Sequence, residues 1–187
     1  MMGLGCFDAS NGAPGGGVCP NVRVELNRPA AKTIRKLRER NIRDIIIDPV
    51  EGIVRALFIK PEKGIASLPL RSVNVVFGGL EGDYHTGSSR RRHILLLSAN
   101  VLDELDLQPG ALYENVLIDG IDVMALEEGQ EFQLGEALVA VTIPCEPCIQ
   151  MERVRGGLRQ VLQNRRGMFV KVLVPGTVRV GDRLTPR

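Results

Sequence analysis

From Val50 onward the chain breaks into short apolar segments separated by glycine and proline, and this pattern constrains its fold most. Val50 to Lys60 alternates in part and stops at Pro61, while His93 to Leu97 is an apolar run of strand length. Val116 to Ile118, Glu131 to Leu134 and Leu138 to Ile143 read as further short strands, with Gly129 and Gly135 marking turns. Met168 to Val174 and Thr177 to Val180 read as the arms of a hairpin, because Pro175-Gly176 suits the centre of a type II turn. Helical pattern is confined to two places. Ser98 is placed to cap a helix carrying Val101, Leu102 and Leu105, ended by Pro109-Gly110. Ile149 to Gln163 is helical in pattern but interrupted by Gly156-Gly157. Many short strands and few helices predict a mainly β domain, a barrel or sandwich with helical insertions. No internal repeat is present.

The chain has 187 residues, which suits one domain with a real core. Tryptophan is absent and only two Tyr and five Phe are present, so that core is built from Val, Leu, Ile and Ala. The net charge of +2 hides a local asymmetry. Residues 28 to 43 hold seven basic residues against the single acid Glu39, which leaves the rest of the chain at −4. Residues 1 to 26, with Asn11-Gly12-Ala13-Pro14 followed by three glycines, read as a disordered tail. Residues 27 to 49 read as a basic helical extension, with Asn27 as N-cap and Pro29 in the first turn. Its narrow apolar face (Ala30, Ile34, Leu37) fits a solvated helix lying on the body. With no aromatics to stack bases, nucleic acid is not the expected partner. No apolar run reaches the ~18 residues of a membrane span, and Met1 to Gly5 lacks a signal-peptide pattern, so a cytoplasmic protein is expected.

In a reducing compartment Cys6, Cys19, Cys145 and Cys148 are free thiols, ligands or catalytic groups. Cys145 and Cys148 form a Cys-x-x-Cys with four readings. A structural zinc site lacks a second close pair and has only His85 and His93 to complete it. A dithiol of the thioredoxin type wants a βαβ context that the strand-rich surroundings do not offer. Two buried, inert cysteines are the plain alternative. The last reading is one working thiolate. Pro144 and Pro147 hold the segment extended between a strand and a helix, and a cysteine at a helix start meets exposed amide hydrogens that lower its pKa from about 8.5. Cys148, directly before the helical pattern, is better placed than Cys145, and its thiolate would serve as nucleophile or soft metal ligand.

Two further stretches carry polar chemistry. Gly78-Gly79-Leu80-Glu81-Gly82-Asp83-Tyr84-His85-Thr86-Gly87 is a glycine-rich loop, a long surface turn or one that brings backbone amides, Asp83 and His85 to a ligand. It does not match the nucleotide phosphate loop. Ser88-Ser89-Arg90-Arg91-Arg92-His93 leads into the next strand, and its guanidinium forks beside two hydroxyls suit a phosphate, although consecutive arginines are commonly solvated.

In order along the chain, Gly82-Asp83-Tyr84-His85, an arginine near a strand start, Gly110 before Glu114-Asn115-Val116, Gly129, Leu134-Gly135, Pro147-Cys148, and Arg166-Gly167-Met168 through Pro175-Gly176 to Val180-Gly181-Asp182 resemble the MOSC domain. That family is named after the C-terminal domain of molybdenum cofactor sulfurase, and the resemblance spans roughly residues 50 to 185. It implies a β-barrel-like domain over residues 50 to 187 that handles the molybdenum cofactor or its sulfur. The family's cysteine maps onto Cys148, as a molybdenum ligand or persulfide carrier; Asp83, His85 and Asn115 would line the same pocket, and Arg90, Arg91 or Arg92 would bind the pterin phosphate.

Two functions follow from the resemblance. One is a stand-alone protein that reduces N-hydroxylated small molecules at a molybdenum cofactor, with electrons from a separate reductase. The other is a sulfur carrier that takes a persulfide from a cysteine desulfurase. A non-catalytic binding module is the third reading. No aminotransferase-like segment stands before the barrel, so no pyridoxal phosphate site is expected in this chain. Cys145 is an extra thiol beside the expected one.

Overall fold

A computed structural model of the chain describes residues 51–187. The tail expected over residues 1–26 and the helical extension expected over residues 27–49 lie outside the described residues.

Seven strands close into a barrel. β1 (Gly52–Ile59) pairs with β6 (Val116–Asp119) on one side and with β11 (Arg183–Pro186) on the other. β11 pairs with β7 (Glu131–Leu134), β7 with β8 (Ala137–Pro144), and β8 with β9 (Met168–Val174). β9 pairs with β5 (Ile94–Ser98), and β5 lies parallel to β6, which completes the ring. The short β2 (Leu68–Leu70) pairs with Leu57, Phe58 and Ile59 of β1, beyond the residues that β11 covers. Closure removes the sheet edges that an open mainly β fold leaves exposed. The parallel pair needs a crossover. Residues 99–115 supply it, beginning with α1 (Ala99–Glu104).

The interior is filled by branched aliphatics, including Val54, Leu57, Ile94, Leu96, Val116, Ile118, Val139, Val141 and Val170. Each fully buried side chain of this size contributes about 1.5–3 kcal/mol. Outside the barrel a second apolar cluster joins Leu97 and Leu117 to Leu102, Leu112, Met151, Leu158 and Leu162. β5 is therefore covered on both faces, which is why its sequence is a continuous apolar run rather than an alternating one. The helices that cover it are α1, α2 (Gln150–Val154) and α3 (Leu158–Val161). Ser98 stands at the N-cap of α1, but its hydroxyl makes no cap bond and instead accepts from the Val123 N–H at 2.9 Å.

The expected hairpin at Pro175-Gly176 does not form. β9 stays in the barrel, whereas β10 (Gly176–Arg179) pairs with β3 (Ser72–Val76), which pairs with β4 (Gly79–Leu80), in a separate three-stranded sheet. Pro175-Gly176 is thus a crossing between sheets. Gly176 is not at positive φ, as a type II turn requires. It is glycine because a Cβ there would lie 2.5 Å from the carbonyl carbon of Glu136. Among the described residues no helix is long and apolar enough to cross a membrane.

Candidate functional site

A cleft of about 660 Å³ runs along the outer wall of the barrel. Leu95 and Phe169, paired across β5 and β9, form its apolar side, because their neighbours Ile94, Leu96, Met168 and Val170 point into the barrel. Loops from five parts of the chain close around them.

Asp83 organises the first of these loops. Its side chain is 6% exposed, and Oδ2 accepts from the Lys60 backbone N–H at 2.9 Å and from Asn115 Nδ2 at 3.2 Å. Oδ1 accepts from the His85 backbone N–H at 2.8 Å and lies 3.3 Å from His85 Nδ1. Asn115 accepts at Oδ1 from the Leu95 N–H and donates from Nδ2 to the Phe58 carbonyl. Two side chains thereby clip the end of β1 and the starts of β5 and β6 together. These polar groups occupy strand ends, where the backbone N–H groups they satisfy have no partner in the sheet. His85, 60% exposed, is left facing the cleft with its Nδ1 toward Asp83. A proton on Nδ1 in that contact makes Nε2 the available atom.

Of the three arginines before β5, all exposed, only Arg92 lines the cleft. Its guanidinium lies 5.6 Å from the Phe169 ring centre. Arg91 pairs with Glu128 instead, and neither it nor Arg90 is among the cleft residues. On the opposite side the Lys60 ammonium sits 4.7 Å from the centre of the Tyr113 ring.

The two cysteines share the cleft but differ in access. Cys148 is exposed, and Cys145 is half-buried. Cys145 is fixed by its N–H, which donates to the Gly167 carbonyl at 2.8 Å. Burial pushes its thiol up from the ordinary range, against the pull of the Arg166 and Arg92 guanidiniums. Cys148 lies one residue before the cap of α2, since Ile149 holds that position. α2 has only five residues, so access to solvent and to the cleft distinguishes Cys148 more than a helix start does. Among the described residues no three His, Cys, Asp or Glu side chains gather into a group that could hold a metal ion.

Two residues with little sequence signal complete the site. Glu114 is 1% exposed and accepts from the Gly110 and Leu112 N–H groups. Burial holds its carboxyl above the usual carboxylate range, although those N–H bonds and Arg166 oppose the shift. Arg166 is 5% exposed and donates from Nη2 to the Leu112 carbonyl. In the sequence Glu114 and Arg166 stand out only as members of the ordered motifs Glu114-Asn115-Val116 and Arg166-Gly167-Met168, and neither has a pattern that reports its burial.

The chain is thus a closed, aliphatic-filled barrel whose strand-end loops build a cationic cleft with two thiols on its outer wall. The chain belongs to the MOSC domain family, which matches residues 83–185, more than half of its 187 residues. Among solved structures it is similar to the YuaD protein of Bacillus subtilis, at 21% identity and a TM-score of 0.65, covering 72% of this chain and 94% of that one. It is also similar to YiiM of Geobacillus stearothermophilus, at 19% identity and a TM-score of 0.63, covering 73% of this chain and 75% of that one. For YiiM of Escherichia coli the identity is 22%, the TM-score 0.54 and the coverage 72% and 69%. These likenesses show the fold. No curated protein matches the chain.

Proposed function

We propose that this protein binds the molybdenum cofactor in the wall cleft, with the Cys148 thiolate as metal ligand, and reduces N-hydroxylated small molecules with electrons from a separate reductase. The observation that carries the reading is an exposed thiol opening onto a cationic cleft in a MOSC chain. The donor set suits the group. A soft sulfur ligand is accessible for molybdenum, and Lys60, Lys63, Arg92 and Arg166 outnumber Asp83 and Glu114 along the walls, as a phosphate-bearing ligand needs. The cofactor, when bound, supplies two-electron oxygen-removal chemistry. The chain's own residues do the rest. Cys148 would hold the metal through sulfur, Arg92 and Lys60 would neutralise the anionic end, and Asp83 fixes His85 so that Nε2, the ring nitrogen left without a proton, would accept a hydrogen bond from the substrate.

Expression in cells with intact cofactor synthesis, followed by metal analysis and pterin fluorescence, tests this. Wild type is expected to carry molybdenum and pterin, and Cys148→Ser to lose the metal. Wild type without either overturns the reading. The exposure of Cys148 also supports the sulfur-carrier reading, because a partner desulfurase needs such access. Mass spectrometry after incubation with a desulfurase and cysteine should then show one added sulfur atom on Cys148; wild type without the adduct, or Cys148→Ser with it undiminished, rejects that reading.

A further inference from the structure

The proposed chemistry uses one of the two thiols in the cleft and leaves Cys145 without a task. Yet the fold holds both ends of the segment that joins them. The Cys145 N–H donates to the Gly167 carbonyl at 2.8 Å, which ties the start to the turn before β9. At the other end the Pro147 carbonyl accepts from Arg159 Nε at 3.2 Å, and the Cys148 carbonyl accepts from the Met151 N–H at 3.0 Å. Both cysteines line the same cleft. The Cys145 thiol leans forward along the segment and donates to the carbonyl oxygen of Glu146, the next residue toward Cys148, at 4.0 Å. Burial is the main reason the Cys145 thiol is pushed up, and a negative charge on Cys148 adds to it, so the two sulfurs lie within electrostatic reach of each other.

Unequal access gives the two thiols different tasks. The exposed Cys148 meets an incoming disulfide or persulfide first, because attack needs an accessible thiolate. Cys145 is half-buried and is shielded from outside reagents. The order reverses once Cys148 carries a sulfur-bonded group. Cys145 is then tethered three residues from that bond, at an effective concentration on the order of millimolar or above. Three residues span at most about 11 Å, and a disulfide accepts Cα atoms up to ~7 Å apart. The bridge therefore asks for no more than a bend at Glu146, which is exposed.

We infer that Cys145 is the resolving thiol of Cys148: its sulfur attacks the Cys148 sulfur of a persulfide or mixed disulfide, a Cys145–Cys148 bond forms, and the outer sulfur leaves with its electron pair as hydrosulfide or thiolate. The Cys145 proton goes to solvent or to the leaving sulfur. The step consumes no further oxidant, because the oxidising equivalent arrives with the loaded sulfur. A dithiol reductant reopens the bridge with two electrons and two protons. This deepens the sulfur-carrier reading and rests on Cys148 being the thiol that takes sulfur. It makes the cleft a place that releases sulfur as well as one that holds it.

The test uses the full chain with Cys6→Ser and Cys19→Ser, so that only the cleft thiols remain, and the aromatic disulfide DTNB at one molecule per protein. This parent chain is expected to release two thiolates in two phases, the second independent of protein concentration. It should end as a monomer lighter by two hydrogens, with the loss on the peptide that holds both cysteines. Adding Cys145→Ser should stop the reaction after the first release, with a lasting mixed disulfide on Cys148. A mixed disulfide that persists in the parent, a second release that quickens with protein concentration, or an equal second release in Cys145→Ser overturns the inference. Should Cys145→Ser fail to fold, Cys145→Ala carries the comparison. In the desulfurase incubation the added sulfur on Cys148 should appear first and then give way to the bridge as sulfide is released, whereas in Cys145→Ser it should accumulate. Sulfide release at the same rate from both counts against the role. The readings fail separately. Protein that carries no molybdenum or pterin but closes the bridge loses the cofactor and keeps the resolving thiol. Protein that shows the persulfide on Cys148 and never the bridge keeps the carrier reading and loses the role of Cys145.

Discussion

Asp83→Ala removes the group on which the geometry of the cleft depends. Its carboxylate accepts from the Lys60 N–H, the His85 N–H and Asn115 Nδ2, and its side chain is 6% exposed. Alanine leaves all three donors without that acceptor in a partly closed site. At about 1 kcal/mol for each lost bond, the chain should lose roughly 3 kcal/mol, a large share of the 5–15 kcal/mol typical of a domain. With a denaturant slope of ~2 kcal/mol per molar urea, the unfolding midpoint should fall by about 1.5 M. Asp83→Asn keeps the shape and one acceptor oxygen but turns an amide toward N–H donors, so its midpoint should fall between the two. Equilibrium urea unfolding followed by circular dichroism reads this directly. Because Asn115 also bonds the Leu95 N–H and the Phe58 carbonyl, the amide signals of residues 58, 85 and 95 should shift together in Asp83→Ala. A folded Asp83→Ala protein with an unchanged midpoint, or shifts confined to the neighbours of residue 83, would refute the view that this carboxylate ties the strand ends together.

Gly167→Ala should destabilise the domain by about 3 kcal/mol or more and loosen Cys145, since φ is +99 there and a Cβ would lie 2.2 Å from the Leu96 carbonyl oxygen. A urea midpoint close to that of wild type would contradict it. His93 is held below its ordinary pKa of 6.5, chiefly by burial, and its Nδ1 accepts from the Val172 N–H. The unfolded chain therefore binds the extra proton first as pH falls below 6.5, and stability should decline from that point down through the folded-state pKa. His93→Asn should flatten that step in urea midpoints measured across the acid range, and an unaltered pH profile would rule out His93 as its source. Iodoacetamide at neutral pH should label Cys148 well before Cys145, because Cys148 is exposed while burial keeps Cys145 a thiol. Peptide mass spectrometry over a time course reads the order, and simultaneous labelling would contradict the difference in access.

What the sequence reveals follows the range of the interactions involved. Strands with a local pattern are legible: Glu131–Leu134 is read to the residue, and the run ending at Leu97 is read as a buried strand. The segment from Leu68 to Leu80 is not legible as strands, because β2 and β4 have three and two residues and gain their regularity only from β1 and β3. Pro175-Gly176 misleads for a related reason. Its local turn preference is overridden by partners far away in sequence, Asn74 for Thr177 and Glu136 against Gly176. In the site, Asp83, His85, Arg92, Asn115 and Cys148 are legible as chemistry and meet in one cleft. Burial is what a single sequence withholds, and it is burial that separates Arg166 from Arg165, and Glu114 from any other acid before a strand.

The location of the cleft follows from the composition of the barrel. A closed ring of seven or eight strands has an interior that side chains alone just fill, and here Val, Leu and Ile fill it without a polar group among the core residues. No ligand fits inside such a wall, so the chemistry has to sit outside it. The parallel pairing of β5 and β6 decides where. Two parallel strands start at the same end, so His93 and Asn115 arrive together, and the antiparallel β1 ends beside them at Lys60. The crossover that the parallel pair requires then lays Leu112 and Glu114 alongside, and Arg166 reaches the Leu112 carbonyl from the turn before β9. One topological feature, a single parallel pair in an otherwise antiparallel barrel, thus gathers residues 60, 83, 115 and 166 around two cysteines that the chain sequence keeps three positions apart.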